Sequence, residues 1–444
     1  MTSCDAGVSS GIMFRVIVGG GEVTKPACRA CAATALMTLI AVLSASIPTA
    51  CAQSPLAMKC NAVGNFSLDD RIAGCTAVIE TATAMQQGVI FAYFRRAGFY
   101  FQKGEVDRAI ADYDRIIEHD PNNSIARFRR ASAYVRKREI DAALADYEKA
   151  VELDPKDVYA YLGRAVAYMA KGDIDRGIDD YSRVLQIHPE NVSAYVGRST
   201  AYRIKDEPDR AIADCNRVIE ISPNREFGYL CRGEAYRDKD DIDRALADFD
   251  QAVRLNPKGL RAHVDVANTH QRLGNTEPAL ASLDRALQLD SHSAWLYHLR
   301  GVIRLGANML PGAIEDFSRS SELNPKRPYT RLWLEIARKR SGQPGQLTES
   351  AAQLDMEKWP APLVRLFLGD ETLDAVLIAA DDSNANKKKG QVCEANFYAG
   401  ELALTQGAAE EGRRLLQLAA DGCPRTCVEW AAANAELHRL NTKP

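Results

Sequence analysis

The chain has 444 residues, with 56 basic and 59 acidic side chains and a formal net charge of −3. That balance argues against a nucleic-acid binder, which carries a strong basic excess. Hydrophobic residues at 46% and charged residues at 26% are the proportions of a soluble globular chain, long enough for two or three ordinary domains.

The first element along the chain is a targeting segment. Ala32 to Ile47 reads AATALMTLIAVLSASI, without charge, Gly or Pro, behind Arg15, Lys25 and Arg29. Ala50-Cys51-Ala52-Gln53 comes after Pro48. A basic start, an apolar core and an A-x-A site read as a secretory signal peptide over 1–52, with cleavage expected after Ala52. Met13 is a candidate initiator. The apolar run is shorter than the ~20 residues that span a bilayer. Cys51 has Pro48 where a lipidation site wants a leucine-like residue. Membrane contact is therefore expected only if the segment is retained or lipidated. Export implies an oxidising, periplasmic setting in which disulfides persist.

Residues 53–89 are expected to form a helical cap. Ile72, Cys75, Val78 and Ile79 recur at helical spacing, which predicts a helix from about Leu68 to Thr83. Ser67 suits its N-cap, with Asp69 and Asp70 in the first turn. Cys60 and Cys75 are expected to be bridged, pinning the cap onto the first repeat.

From Ile90 to Arg327 one 34-residue unit is written seven times without insertion or deletion, at 90–123, 124–157, 158–191, 192–225, 226–259, 260–293 and 294–327. Each copy reads as two helices. Position 8 is small (Ala97, Ala131, Ala165, Ser199, Gly233, Ala267, Gly301), and so is position 20 (Ala109, Ala143, Gly177, Ala211, Ala245, Ala279, Ala313), so the two helices can approach closely. Position 11 is Tyr in the first five copies, and position 24 is large in most. Pro at position 32 ends the second helix in every copy but one, which has Ser291. This period and pattern resemble the tetratricopeptide repeat, in the style common in bacteria, with R-x-x-A-Y in the first helix and D-R-A-I-A-D in the second. The resemblance implies an all-α fold, an α-solenoid of helix-turn-helix units in a right-handed superhelix. It would cover 90–342 as seven repeats plus a capping helix and serve as a binding scaffold.

One pairing goes beyond that signature. Position 7 is Arg in six copies (Arg96, Arg130, Arg164, Arg198, Arg232, Arg300), and position 23 is Asp in the same six (Asp112, Asp146, Asp180, Asp214, Asp248, Asp316). The sixth copy loses both, having Val266 and Ser282. The two positions are equidistant from the turn, so an antiparallel hairpin sets them level. The joint loss points to an ion pair inside each repeat.

In the family this repeat resembles, first helices line a concave groove for peptides or protein segments, presenting positions 2, 5, 9 and 12. Carried onto this chain, that implies a groove including Phe94, Phe101, Phe128, Val135, Tyr159, Leu162, Met169, Arg203 and Arg237, with Phe91, Ile125 and Phe227 at position 2. The first half reads apolar and the second mixed. Part of the strip in the first repeat has an alternative partner in the cap. The Lys and Asn set that grips a chain's terminal carboxylate in some relatives is not found, which disfavours a chaperone-tail receptor.

Pro328 to Arg340 reads as a first helix without its partner, and SGQPGQ at 341–346 breaks the pattern. Trp359 to Ala380 predicts two short helices, and 381–390 a polar loop within an interruption over 343–392. From Cys393 the repeat returns, with Gly400 at position 8 and Gly407 at 15, and Cys427 to Leu440 closes the chain as a helix. This 393–444 module resembles the C-terminal part of exported tetratricopeptide proteins, including the NlpI-type lipoproteins. Cys393 and Cys423 lie at one end of the hairpin and are expected to be bridged, with Cys427 as the alternative partner. Cys215 and Cys231 lie level on adjacent helices, so a third bridge is open.

His263 and His270 sit where the repeat wants aromatic packing and read as core. No nucleophile elbow, phosphate loop or metal-ligand motif is found. The expectation is a non-catalytic scaffold without cofactor or metal, binding protein partners in the bacterial periplasm or envelope. The contrasting reading is an envelope enzyme or carbohydrate-binding protein on the same scaffold.

Overall fold

A computed structural model describes residues 55–61, 65–82, 87–424 and 427–442. The expected signal segment, including its cleavage site, lies outside them. Among the described residues the chain is helical and has no strand. It divides into two units between Lys239 and Asp240.

The first unit opens with α1 (Pro55–Cys60) and α2 (Leu68–Glu80). First and second helices of the repeats then alternate: α3 (Gln87–Lys103), α4 (Val106–His119), α5 (Ser124–Lys137), α6 (Ile140–Leu153), α7 (Val158–Lys171), α8 (Ile174–Ile187), α9 (Val192–Ile204), α10 (Pro208–Ile221) and α11 (Glu226–Asp238). The local chemistry of each hairpin is the same. Asn123, Asp157 and Asn191, all at position 34, accept backbone N–H groups at the start of α5, α7 and α9. Position 15 turns the chain in the left-handed region at Gly104, Arg138, Gly172 and Asp206, with φ between 58° and 87° wherever this position is positive. Glycine adopts that region freely, whereas Arg138 does so against its Cβ.

Between consecutive hairpins, position 24 of one copy meets position 6 of the next. A Cβ at Gly163 would lie 2.5 Å from the Tyr147 ring, and one at Gly197 would lie 2.4 Å from the Tyr181 ring. In the next copy the same slot holds the Cys215–Cys231 disulfide, with Cα atoms 5.6 Å apart. A ring against a glycine and a disulfide are thus two ways of filling one space. Along the turn edge, Lys at position 14 reaches Asp at position 18 of the preceding copy: Lys137–Asp107 at 2.8 Å, Lys171–Asp141 at 2.7 Å, Lys205–Asp175 and Lys239–Asp209 at 2.6 Å. These pairs are exposed and each adds little.

The cap takes part in the same scheme. α2 begins at Ser67, whose side chain accepts from the Asp70 N–H, and it ends at Glu80, three residues short of the expected Thr83. Lys103 reaches Asp69 at 2.7 Å, and Arg96 donates to Thr76 at 2.9 Å. Asp69 and Thr76 therefore stand where positions 18 and 25 of a preceding repeat would. α1 and α2 act as a shortened repeat, tied internally by Cys60–Cys75 with Cα atoms 4.5 Å apart. Its apolar side packs on Ala92 and Phe99.

The second unit holds α12 (Ile242–Leu255), α13 (Leu260–Arg272), α14 (Thr276–Leu289), α15 (Ala294–Gly306), α16 (Leu310–Leu323) and α17 (Pro328–Arg340). α17 has no second helix. Its Glu335, at the small-residue position 8, accepts from the N–H groups of Gln346 and Leu347 and so starts α18 (Leu347–Ala351). α19 (Ala361–Leu368) and α20 (Leu373–Ala379) come next, then α21 (Ala385–Thr405), α22 (Ala409–Gly422) and α23 (Val428–Thr442). The polar stretch expected as a loop up to residue 390 is a correction: α21 already includes residues 385–390. Asn384 accepts from the Lys387 N–H, and Lys388 pairs with Asp381 at 2.6 Å, so alanine and lysine, both good helix formers, extend the helix backwards. Cys393 and Cys423 are bridged, with Cα atoms 5.0 Å apart. The unit's core joins Phe317, Trp333, Phe397 and Tyr398, with Trp333 stacked on Phe317 at 6.0 Å.

Candidate functional site

Each position-7 arginine is held on several sides. Arg96 donates to both oxygens of Asp112 at 2.9 and 2.7 Å, and Arg130 to both of Asp146 at 2.6 and 2.7 Å. Arg164 holds Asp180 at 2.8 and 2.7 Å, Arg198 holds Asp214 at 2.9 and 2.7 Å, and Arg300 holds Asp316 at 2.9 and 2.6 Å. Arg232 and Asp248 belong to different units. In Arg130, Arg198 and Arg300 the remaining guanidinium N–H reaches position 25 of the preceding copy, as in Arg130–Asp114 at 2.5 Å and Arg198–Ser182 at 3.0 Å, whereas Glu148 at that position beside Arg164 accepts from the Tyr168 hydroxyl. One residue therefore closes its own hairpin and staples it to its neighbour.

The tyrosines at positions 4 and 11 flank this cation one turn away on either side. Arg164 lies 5.4 Å from the Tyr161 ring and 5.8 Å from Tyr168, and Arg198 lies 5.8 Å from both Tyr195 and Tyr202. The sequence marked position 4 for aromatic packing alone, although its recurrence as Tyr beside the position-7 arginine carried this further signal. The sixth copy loses the whole set: Val266 replaces the arginine, Ser282 the aspartate, and His263 and His270 the two rings. His263 is buried and shares a 3.0 Å hydrogen bond with the Pro257 carbonyl oxygen. Burial pushes the carboxyls of Asp112, Asp180 and Asp316 up, and the arginine opposes the shift in each.

The face open to a partner lies on the first helices of residues 55–239. Consecutive first helices touch, α5 with α7, α7 with α9 and α9 with α11, whereas the second helices do not approach one another to that extent. The stack therefore curves with its first helices inside. On that inner face the position-2 side chains stand in solvent: Phe91 is 51% exposed, Ile125 60%, Tyr159 63% and Phe227 48%. The position-5 rings lie deeper, Phe94 against Tyr113 at 6.1 Å and Phe128 against Tyr147 at 5.9 Å. Phe101, Val135, Leu162 and Met169 are half-buried. Arg203 is held by Glu234 and by Asp238, at 2.5 Å from the latter, so its charge is already matched; Arg237 is half-buried. The cap packs on positions 3 and 10 of the first copy, which leaves Phe91 clear.

The charges on this face carry no mark in the groove pattern of positions 2, 5, 9 and 12. α3, α5, α7 and α9 contain no acidic residue. Arg95 lies 5.2 Å from the Phe99 ring, Arg129 5.8 Å from Phe128, and Arg136 4.9 Å from Phe101. Arg95 donates to the Cys60 carbonyl and Arg136 to the Phe101 carbonyl; among the described residues none of the three pairs with a carboxylate.

On the inner face of the second unit the strip formed by position 13 is covered by the chain itself. α23 lies against position 13 of three consecutive first helices. Trp430 lies 6.0 Å from the Arg272 guanidinium, the Ala435 methyl is 3.6 Å from where a Cβ on Gly306 would stand, and Arg340 pairs with Glu436 at 2.8 Å. Arg340 also binds Glu401. Burial pushes the Glu401 carboxyl up to about 7, with Arg340 opposing and Glu436 adding to the shift. Nothing in the sequence of α23 marked it as the filler of a groove.

Among the described residues no group of three or more His, Cys, Asp or Glu side chains is placed to hold a metal, and no helix is long and apolar enough to cross a membrane. The disulfides suggest an oxidising environment. No curated protein matches the chain. Solved structures that resemble it include a tetratricopeptide repeat protein from Parabacteroides merdae, 18% identical over 56% of this chain and 98% of that one, with a TM-score of 0.48. MamA is 26% identical over 36% of this chain and 95% of its own, with a TM-score of 0.34. YrrB, described as a TPR protein with an unusual peptide-binding site, is 24% identical over 42% and 97%, with a TM-score of 0.33. The family model described as "Tetratricopeptide repeat" matches residues 94–158, 128–192, 162–226 and 232–294. With the 34-residue period and the paired helices, the family-model matches identify the repeats over residues 94–294 as tetratricopeptide repeats.

Proposed function

We propose that this protein is a non-catalytic interaction scaffold of the bacterial periplasm or cell envelope, binding a segment of a protein partner on the inner face of residues 55–239. The observation that carries the reading is the row of exposed apolar side chains at one repeat position: Phe91, Ile125, Tyr159 and Phe227. Large apolar side chains left in solvent in register mark an interaction surface. The signal-like N-terminus and the disulfides support the exported location. A partner purified with the full chain from envelope extract and reconstituted with it tests the site. The Ile125→Asp, Tyr159→Asp double variant is expected to keep its helical content and to bind about tenfold or more weakly. Undiminished binding by the folded variant would move the site off this face.

A further inference from the structure

We infer that the segment this face takes is an amphipathic helix flanked by acidic side chains; the inference rests on the inner-face reading above. The first argument is charge. Four consecutive first helices present no carboxylate, while Arg95, Arg129 and Arg136 border the apolar floor without a carboxylate partner among the described residues. Each guanidinium lies against an aromatic ring of the inner face, Arg95 against Phe91 at 6.0 Å, so its charge is held at the rim. A ligand with apolar residues in the middle and Glu or Asp at the flanks meets both features.

The second argument is backbone chemistry. An extended segment brings N–H and C=O groups that need partners, and unpaired ones are costly. The floor offers few. Positions 2, 5, 9 and 12 of the first three copies are apolar or glycine except for the Tyr159 hydroxyl and for Ser132, whose hydroxyl already bonds the Phe128 carbonyl and the Tyr147 hydroxyl. A helix satisfies its own backbone and asks only for apolar contact and charge at its edges.

The third argument is an instance of this packing within the chain. In the second unit a helix, α23, does lie on the inner face, touching position 13 through an aromatic on Arg272, a methyl on Gly306 and a carboxylate on Arg340. Position 13 of the first unit repeats the cation-then-small order with Arg136 and Ala170, followed by Ile204. A helix of about 15 residues, about 22 Å long, would span these copies.

The test uses the full chain and three synthetic peptides of about 15 residues, followed by fluorescence anisotropy. One is a stapled helix with a leucine face and glutamate flanks. The second replaces the glutamates by lysine. The third keeps the glutamates but carries two central prolines in place of the staple. The acidic helix is expected to bind, and the lysine and proline peptides to bind about tenfold or more weakly. Arg136→Glu, an exposed position whose fold is checked by circular dichroism, is expected to weaken the acidic helix and improve the lysine peptide. Equal binding of the proline peptide would overturn the helix, and equal binding of the lysine peptide would overturn the charge; in both cases the scaffold reading survives. Failure of all three peptides, with a natural partner still lost on Ile125→Asp, Tyr159→Asp, also overturns the inference and leaves the scaffold. Failure of all three with that partner unaffected removes both.

Discussion

The two units are written in the same 34-residue unit and treat their inner faces in opposite ways. Residues 55–239 leave apolar side chains in solvent beside arginines that have no carboxylate partner among the described residues, whereas residues 240–442 lay their last helix on the corresponding surface. The difference originates after the seventh repeat. α17 lacks its second helix, the chain is diverted through short helices, and α23 returns to cover the exposed strip. A solenoid end needs such a cover. At the other end, a shortened repeat stacks on the first hairpin and leaves the inner face free.

All four tryptophans (Trp295, Trp333, Trp359 and Trp430) lie in the second unit, so their fluorescence reports that unit alone while far-ultraviolet circular dichroism reports both. The largest effect is expected for Arg340→Ala, which strands the buried Glu401 and leaves Glu436 with Arg439 as its partner. It should cost about 5 kcal/mol, seen as an earlier fluorescence transition in denaturant. In the first unit Arg164→Ala should cost about 3–4 kcal/mol by leaving Asp180 buried and unpaired. Asp180→Ala combined with it should cost much less than the sum, and additive losses would break the staple account. The fluorescence transition should stay in place for Arg164→Ala and for the double variant; a joint shift of the two signals would mean that the units unfold together.

A smaller effect concerns pH. Glu401 has its carboxyl raised from 4.5 to about 7 in the fold, so its contribution to stability is full below 4.5 and is lost as pH rises towards 7. Glu401→Gln should flatten the pH dependence of the fluorescence transition over that window, and an unchanged slope would count against the buried site. Arg138→Gly should stabilise the first unit by about 0.5–1 kcal/mol, because it relieves a left-handed arginine. Tyr159→Ser should change stability by less than about 0.5 kcal/mol, in keeping with a side chain that supports binding rather than packing.

The features legible in the sequence share a physical cause, which is repetition. The arginine and aspartate at positions 7 and 23 recur because each copy repeats one environment, so a pairing shows itself through recurrence and joint loss. Repeat numbering also gives the heights of Cys393 and Cys423, and of Cys215 and Cys231, whose bridge the sequence leaves open; Cys60 and Cys75 stand outside the repeats and pair as the cysteines nearest each other. Features that occur once had no such signal. α23 is rich in alanine and, read alone, fits any helix; its match to Arg272, Gly306 and Arg340 is a tertiary contact that periodicity does not encode. The start of α21 was missed because residues 385–390 are polar, although their caps and helix propensity favour a helix. The arginines at the rim escape a reading of positions 2, 5, 9 and 12, because the charges stand at 6 and 13.

A partner is expected to engage the inner face of the first unit, and not that of the second, whose position-13 strip lies under α23. Tyr159 and Arg261 occupy the same repeat position in the two units, and both are exposed. A photo-crosslinking amino acid placed at each in turn, in the full chain, compares the faces directly. The account predicts adducts from the Tyr159 position that map to one segment of a partner protein, and none of that kind from the Arg261 position. Equal adducts from both, or adducts from Arg261 alone, would contradict it.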